Sequence, residues 1–312
     1  MHRLLLLIAL PLAAISACRP SPPAVTVSVA PGFYPSAIAH DPLHDRFFIG
    51  SHSSGAVALM REDGTAVATV RSEAASSPVV QLAFDPRERQ LWVLTPTAVE
   101  RVDPGAAPVR RMPLAARPGG RFADLAIDGR GRAFVLDGAS REILLVDGGR
   151  RTSRVVARLE AEGASEAGGA VLLLPDRSAL LVAWNAGLWR VEPASGAVEP
   201  VPLAPRLADV SQLVLLASDG TAHHVAALRG HANEVVMLRI ALDGRQALVD
   251  TGTRARFDTP FRGAFDGRRL VVLLGRLRHH PSLGGDGRPN LPPRLATYAP
   301  PLPRAVIAVS AR

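Results

Sequence analysis

Six copies of one short pattern govern what this chain can fold into. SAIAHD at 36–41, VQLAFD at 80–85, ADLAID at 123–128, GAVLLL at 169–174, SQLVLL at 211–216 and the weaker FRGAFD at 261–266 each run from small or apolar residues towards Asp or Leu. Their last positions are separated by 44, 43, 46, 42 and 50 residues, the period of propeller blades. A turn follows each copy (DPLHD, DPRER, DGRGR, PDRS, ASDG, DGRR), then a second apolar run: 47–49, 91–94, 133–136, 180–183, 224–227 and 270–273. A third run completes each unit, at 56–60, 98–102, 142–146, 187–191, 234–240 and, in the sixth, AVIAV at 305–309. Short runs bounded by Gly, Asp and Pro read as strands.

A fourth, more polar strand follows repeats one to five, as in TAVATV at 65–70 and SRVVAR at 153–158. The sixth has none, while AVTVSV at 24–29 stands unpaired ahead of the first. Pairing that strand with the last blade closes the ring and removes an open edge. The predicted fold class is therefore all-β, a six-bladed β-propeller over residues 24–312. Residues 275–304, rich in Gly, Pro and Arg and carrying His279-His280, form a long stretch inside repeat six, and loops of that length in compact domains are usually functional or disordered.

The N-terminus predicts an address. Arg3 precedes an apolar run from Leu4 to Ile15, interrupted by Pro11, too short for a mature span but suited to a signal peptide. Ile15-Ser16-Ala17-Cys18 resembles the lipobox of bacterial lipoproteins, which implies cleavage after residue 17 and lipidation of Cys18. Residues 18–23 then become the lipidated cysteine and a short tether. Arg19, where retention at the inner membrane is often signalled by Asp, implies the outer membrane. As the only cysteine, Cys18 excludes a disulfide framework and a Cys-based zinc site.

All 36 basic residues are Arg, and the formal net charge is +8. The pairs at 110/111, 150/151 and 268/269 are scattered without interleaved aromatics, so they read as solvated surface and not as a nucleic-acid groove. The expected partners are the membrane, through the lipid anchor, and a small ligand or envelope protein; nucleic acid is excluded.

FYPSAIAHDPLHDRFFIGS, FADLAIDGRGRAFVLD, LLLPDRSALLVAWNAGLWRVEPASG and FDTPFRGAFDGRRLVVL, taken in order, resemble blades of the superfamily of senescence marker protein, gluconolactonase and luciferin-regenerating enzyme. That resemblance implies a divalent cation at the axial mouth, held by Glu, Asn and Asp at the starts of the innermost strands, which polarises a lactone and activates water. Ser36, Val80, Ala123, Gly169, Ser211 and Phe261 stand at those six positions. None is a carboxylate, so the expectation is no cofactor and no metal site. The histidines show no HExxH spacing, and no GxSxG motif occurs.

Without a catalytic set, the reading is a non-catalytic ligand- or protein-binding module. The alternative is a lactonase- or esterase-type hydrolase of the same superfamily using a displaced site. Candidate ligand-binding residues are Ser36 and Ser211 at the mouth, Asp124 beside it, Asp258 ahead of the last innermost strand, and His52, Asn185 and Asn233 in loops on the same face. Changing Cys18→Ser is expected to move the protein from the membrane pellet to the soluble periplasmic fraction, read by fractionation and immunoblot; retention in the pellet would count against lipidation.

Overall fold

The computed structural model describes residues 24–27, 29, 32–71, 77–106, 110–116, 119–160, 168–274, 294–300 and 302. The leader, Cys18 and the tether lie outside them.

Among the described residues every regular element is a strand. β1 (Ala24–Thr26) stands alone at the start. Blade one is β2 (Pro35–Asp41), β3 (Arg46–Ser51), β4 (Val57–Met60) and β5 (Ala66–Arg71). Blade two is β6 (Gln81–Asp85), β7 (Gln90–Leu94), β8 (Ala98–Asp103) and β9 (Arg110–Ala116). Blade three is β10 (Phe122–Ile127), β11 (Arg132–Asp137), β12 (Glu142–Asp147) and β13 (Thr152–Arg158). Blade four is β14 (Ala170–Leu173), β15 (Leu180–Trp184), β16 (Gly187–Val191) and β17 (Val198–Val201). Blade five is β18 (Val210–Ser218), β19 (Ala222–Arg229), β20 (Glu234–Ala241) and β21 (Ala247–Arg256). Blade six is β22 (Pro260–Phe265), β23 (Leu270–Leu274) and β24 (Arg294–Tyr298), and β1 is its fourth strand.

Each blade is an antiparallel sheet in sequence order, which local hairpins produce directly. An Asp closes the first hairpin of every blade: it ends the repeat in blades one, two, three and six, and stands two and three residues past the final Leu in blades four and five. Asp41, Asp85, Asp128, Asp176, Asp219 and Asp266 each accept a hydrogen bond at Oδ1 from the backbone N–H two residues on, at 2.7–3.0 Å. Such side-chain-closed turns need a short acceptor at one fixed position.

Packing follows from the period of two. Successive side chains of a strand point to opposite faces, and here both faces meet a neighbouring blade. Leu91 and Val93 pack towards blade one, while Trp92 and Leu94 pack towards blade three. The buried apolar residues accordingly sort into six clusters, one at each blade–blade interface. This is why β23 reads LVVLL, apolar throughout, instead of alternating.

The ring closes as the orphan strand requires. β1 pairs antiparallel with β24, Ala24 opposite Ala296 and Thr26 opposite Arg294. Val27, immediately after it, is buried with Ile38 of blade one and Leu295 of blade six.

One strand departs from the sequence reading. The third strand of blade six is Arg294–Tyr298, not 305–309, and it lies inside the stretch taken as one loop over 275–304. AVIAV looks more strand-like, but RLATY buries Leu295 and Ala296 and pairs along the whole of β23. Residues 275–293 and 303–312 lie outside the described residues. Deleting residues 24–29 is expected to lower the thermal midpoint by roughly 5–10 °C, from the lost burial of Val27 and the lost strand, and to promote self-association through the bared β24 edge. Calorimetry and sedimentation velocity read both effects, and an unchanged, monomeric protein would contradict this account of closure.

Candidate functional site

The six innermost strands begin at one end of the ring, and the turn after each second strand lies at the same end, since Pro35 pairs with Ser51, Ala170 with Ala183 and Val210 with Arg229. This mouth face carries the candidate loops. In blades one, three, five and six the innermost strand is bulged at its start, the register skipping between Pro35 and Ala37, Phe122 and Asp124, Val210 and Gln212, and Pro260 and Arg262. The bulged residues are Ser36, Ala123, Ser211 and Phe261. A bulge re-aims the side chains around it.

The polar ring at the axis therefore comes from the next position of the repeat. That column reads Ala37, Gln81, Asp124, Ala170, Gln212 and Arg262. Gln81, Asp124 and Gln212 line an axial channel of about 200 Å³. A carboxylate does stand at the axis, then, one residue beyond the position where the sequence reading looked for it.

Asp124, 1% exposed, is held on every side. Gln81 Nε2 donates to Oδ1 at 2.7 Å, the Val171 backbone N–H donates to Oδ2 at 2.8 Å, and Arg262 Nη1 lies 3.8 Å from Oδ1. Arg262, 3% exposed, donates through Nη1 to Ser211 O and through Nη2 to Ala123 O at 3.0 Å, so it reaches from blade six to blades five and three. Its guanidinium lies 5.1 Å from the Phe261 ring centre. Burial pushes the Asp124 carboxyl above its ordinary range, against the pull of Arg262 and the two N–H donors, and pushes the Arg262 guanidinium down.

The other candidates have local duties. Ser36 Oγ shares its proton between Gly50 O of its own blade and Val79 O beside blade two, and Ser211 Oγ between Leu228 O of its own blade at 3.2 Å and Phe261 O of blade six at 2.9 Å, so each hydroxyl is spent on backbone carbonyls. Asn233, with φ of 54°, accepts the Thr259 N–H at 2.9 Å. Asp258 Oδ2 lies 3.1 Å from Arg294 Nη2. His52 is half-buried, its backbone N–H bonded to Tyr34 O at 2.7 Å. Asn185, with φ of 42°, is exposed in the β15–β16 turn beside Trp184. Only Asp124 belongs to the axial network. Gln81 and Arg262 complete that network and Gln212 lines the channel beside it; one column of the repeat contains all three.

A divalent cation of the kind implied by the resemblance does not fit these residues. Both oxygens of the axial carboxylate already accept N–H donors, and a guanidinium supplies the positive charge beside it. Among the described residues no three His, Cys, Asp or Glu side chains converge as metal ligands.

No protein-family model matches the chain, and no curated protein matches it in sequence. Solved structures do match. A protein of unknown function from Bacteroides thetaiotaomicron superimposes with a TM-score of 0.61 over 89% of this chain and 72% of that one, at 13% identity. An auxiliary nutrient binding protein from the same organism gives 0.60 over 86% and 70%, at 9% identity. Virginiamycin B lyase from Staphylococcus aureus gives 0.57 over 80% of each chain, at 13% identity. The chain is a six-bladed β-propeller. Identities this low carry the fold alone.

Replacing Arg262→Met is expected to destabilise the propeller by about 3–5 kcal/mol at neutral pH, because it strands a buried carboxylate. Arg262 holds the Asp124 carboxyl down against burial, so its removal raises the Asp124 pKa further than in wild type. A folded state that holds its proton more tightly than the unfolded chain gains stability as pH falls, so the deficit relative to wild type narrows from pH 7 towards pH 4. Adding Asp124→Asn should recover part of it at pH 7. Urea unfolding across pH checks this, and a pH-independent deficit would refute it.

Proposed function

We propose that this propeller is a lipid-anchored binding module on the periplasmic side of a bacterial envelope, at the outer membrane, taking a ligand or protein partner without chemical turnover. The observation that carries the non-catalytic reading is the Arg262–Asp124 pair. A general base or a metal ligand needs a free oxygen facing the substrate, and Asp124 has its oxygens committed to Gln81, Val171 and Arg262. The similarity to an auxiliary nutrient binding protein is compatible with a binding role. The resemblance to the gluconolactonase-like superfamily supplies the architecture for this reading, and the axial residues argue against its cation-dependent hydrolysis. The Ile15-Ser16-Ala17-Cys18 sequence supports the anchor.

Purified protein incubated with aldonolactones and p-nitrophenyl esters, with and without calcium, zinc or manganese, is expected to show no turnover above buffer. Hydrolysis that the Asp124→Asn variant loses would overturn the non-catalytic reading and install the hydrolase in its place.

A further inference from the structure

Trp184, at the end of β15, forms a wall common to two clefts on the mouth face, away from the axis. One, of about 740 Å³ between blades four and five, is walled mainly by apolar side chains, Trp189, Pro200, Pro202, Leu203 and Leu248 with Trp184, and carries one charge of each sign at its edge, Glu160 and Arg206. Leu248 is 65% exposed there, the most exposed large apolar side chain among the described residues. The other, of about 600 Å³ towards blade three, is lined by Gly119, Gly120, Arg121, Gly138, Ala139 and Arg141 with Trp184, and among the described residues no acidic side chain lines it. The Arg121 guanidinium is exposed and has no ion-pair or hydrogen-bond partner among the described residues.

The shared indole is fixed in place and unsatisfied. Gly169, with φ of 84°, leaves room for it: a Cβ there would meet Trp184 Cε3 at 2.8 Å and Leu136 Cδ2 at 2.9 Å. Trp184 is 2% exposed, yet its Nε1 has no acceptor, and neither has Trp189 Nε1. Trp92 Nε1, in the core, is unpaired too, so the distinction of Trp184 is its place beside two clefts, where an acceptor brought by a ligand would displace no existing bond.

We propose that these two clefts form one site for an amphipathic organic carboxylate. Its apolar body lies in the cleft of Trp189, Pro200 and Leu248, its carboxylate faces Arg121 and Arg141, and the Trp184 N–H donates to an oxygen at the junction. Arg presents paired donors that match a carboxylate, and a charged acceptor makes the stronger bond to an indole N–H. The assignment rests on the binding-module reading and gives it a ligand class.

Calorimetry with decanoate, 1-naphthoate, 1-decanol and acetate tests the assignment. Decanoate or 1-naphthoate should bind once per chain, at least about tenfold more tightly than either decanol, which lacks the charge, or acetate, which lacks the body; whichever of the two binds better distinguishes an acyl from an aromatic source. Arg121→Ala, at an exposed position that the fold does not need, should weaken carboxylate binding about tenfold and leave decanol unchanged. Trp184→Phe, which keeps a ring and removes one donor, should weaken it about fivefold. No saturable binding at millimolar carboxylate, equal affinity for decanol, or affinity unmoved by Arg121→Ala would overturn the assignment while leaving a non-catalytic module standing. Hydrolysis of p-nitrophenyl decanoate would instead bring down the binding-module reading itself.

Discussion

One guanidinium at the axis links blades that are far apart in sequence. Arg262 starts from blade six and bonds to the backbone of blades five and three, and the carboxylate beside it bonds to Gln81 of blade two and the Val171 N–H of blade four. The hydrophobic clusters among the described residues each join neighbouring blades around the ring, where apolar side chains interdigitate and would tolerate small rotations. The axial network joins opposite sides with directional bonds. A buried ion pair contributes little net stability over apolar filling, because desolvation offsets the attraction. Its effect here is to fix how far the innermost strands stand from one another, which hydrophobic packing alone specifies loosely.

The same network explains the mouth of the channel. Ser36 and Ser211, the two hydroxyls that the repeat places nearest the axis, donate to carbonyls of the adjoining blade, and Gln212 Oε1 accepts the Gly263 N–H at 2.6 Å. Polar side chains at the centre of the ring are thus consumed as ties between blades. Off the axis, around Trp184, the exposed Arg121 stands in a glycine-lined cleft beside an apolar one.

The blade count, the strand order within a blade and the closing strand were legible in the sequence because each depends on local signals. An Asp at or just past the end of each repeat closes the turn by bonding two residues on, and an alternating strand without a partner ahead of the first repeat matches a missing strand in the sixth. The identity of the axial residues was not legible at single-residue precision. A one-residue bulge decides which column of the repeat faces the channel, and the bulged residues Ser36, Ala123, Ser211 and Phe261 share no common chemistry that would announce it. Strand propensity favours AVIAV over RLATY, whereas pairing with β23 and burial of Leu295 select RLATY. Arg121 and Trp184 lie in different blades, and only the packing of blade three against blade four makes them neighbours.

The closing strand also sets how this ring bears a load. β1 contributes three residue pairs to blade six, and it is the first described element downstream of the N-terminus. A pull on that end reaches those pairs before any other strand, and it would peel the fastening of the circle before it strained a blade. Resistance at that end therefore rests on Ala24–Thr26 and on Val27 behind them, and once they let go the circle is held shut only by the side chains of blade one packed on blade six.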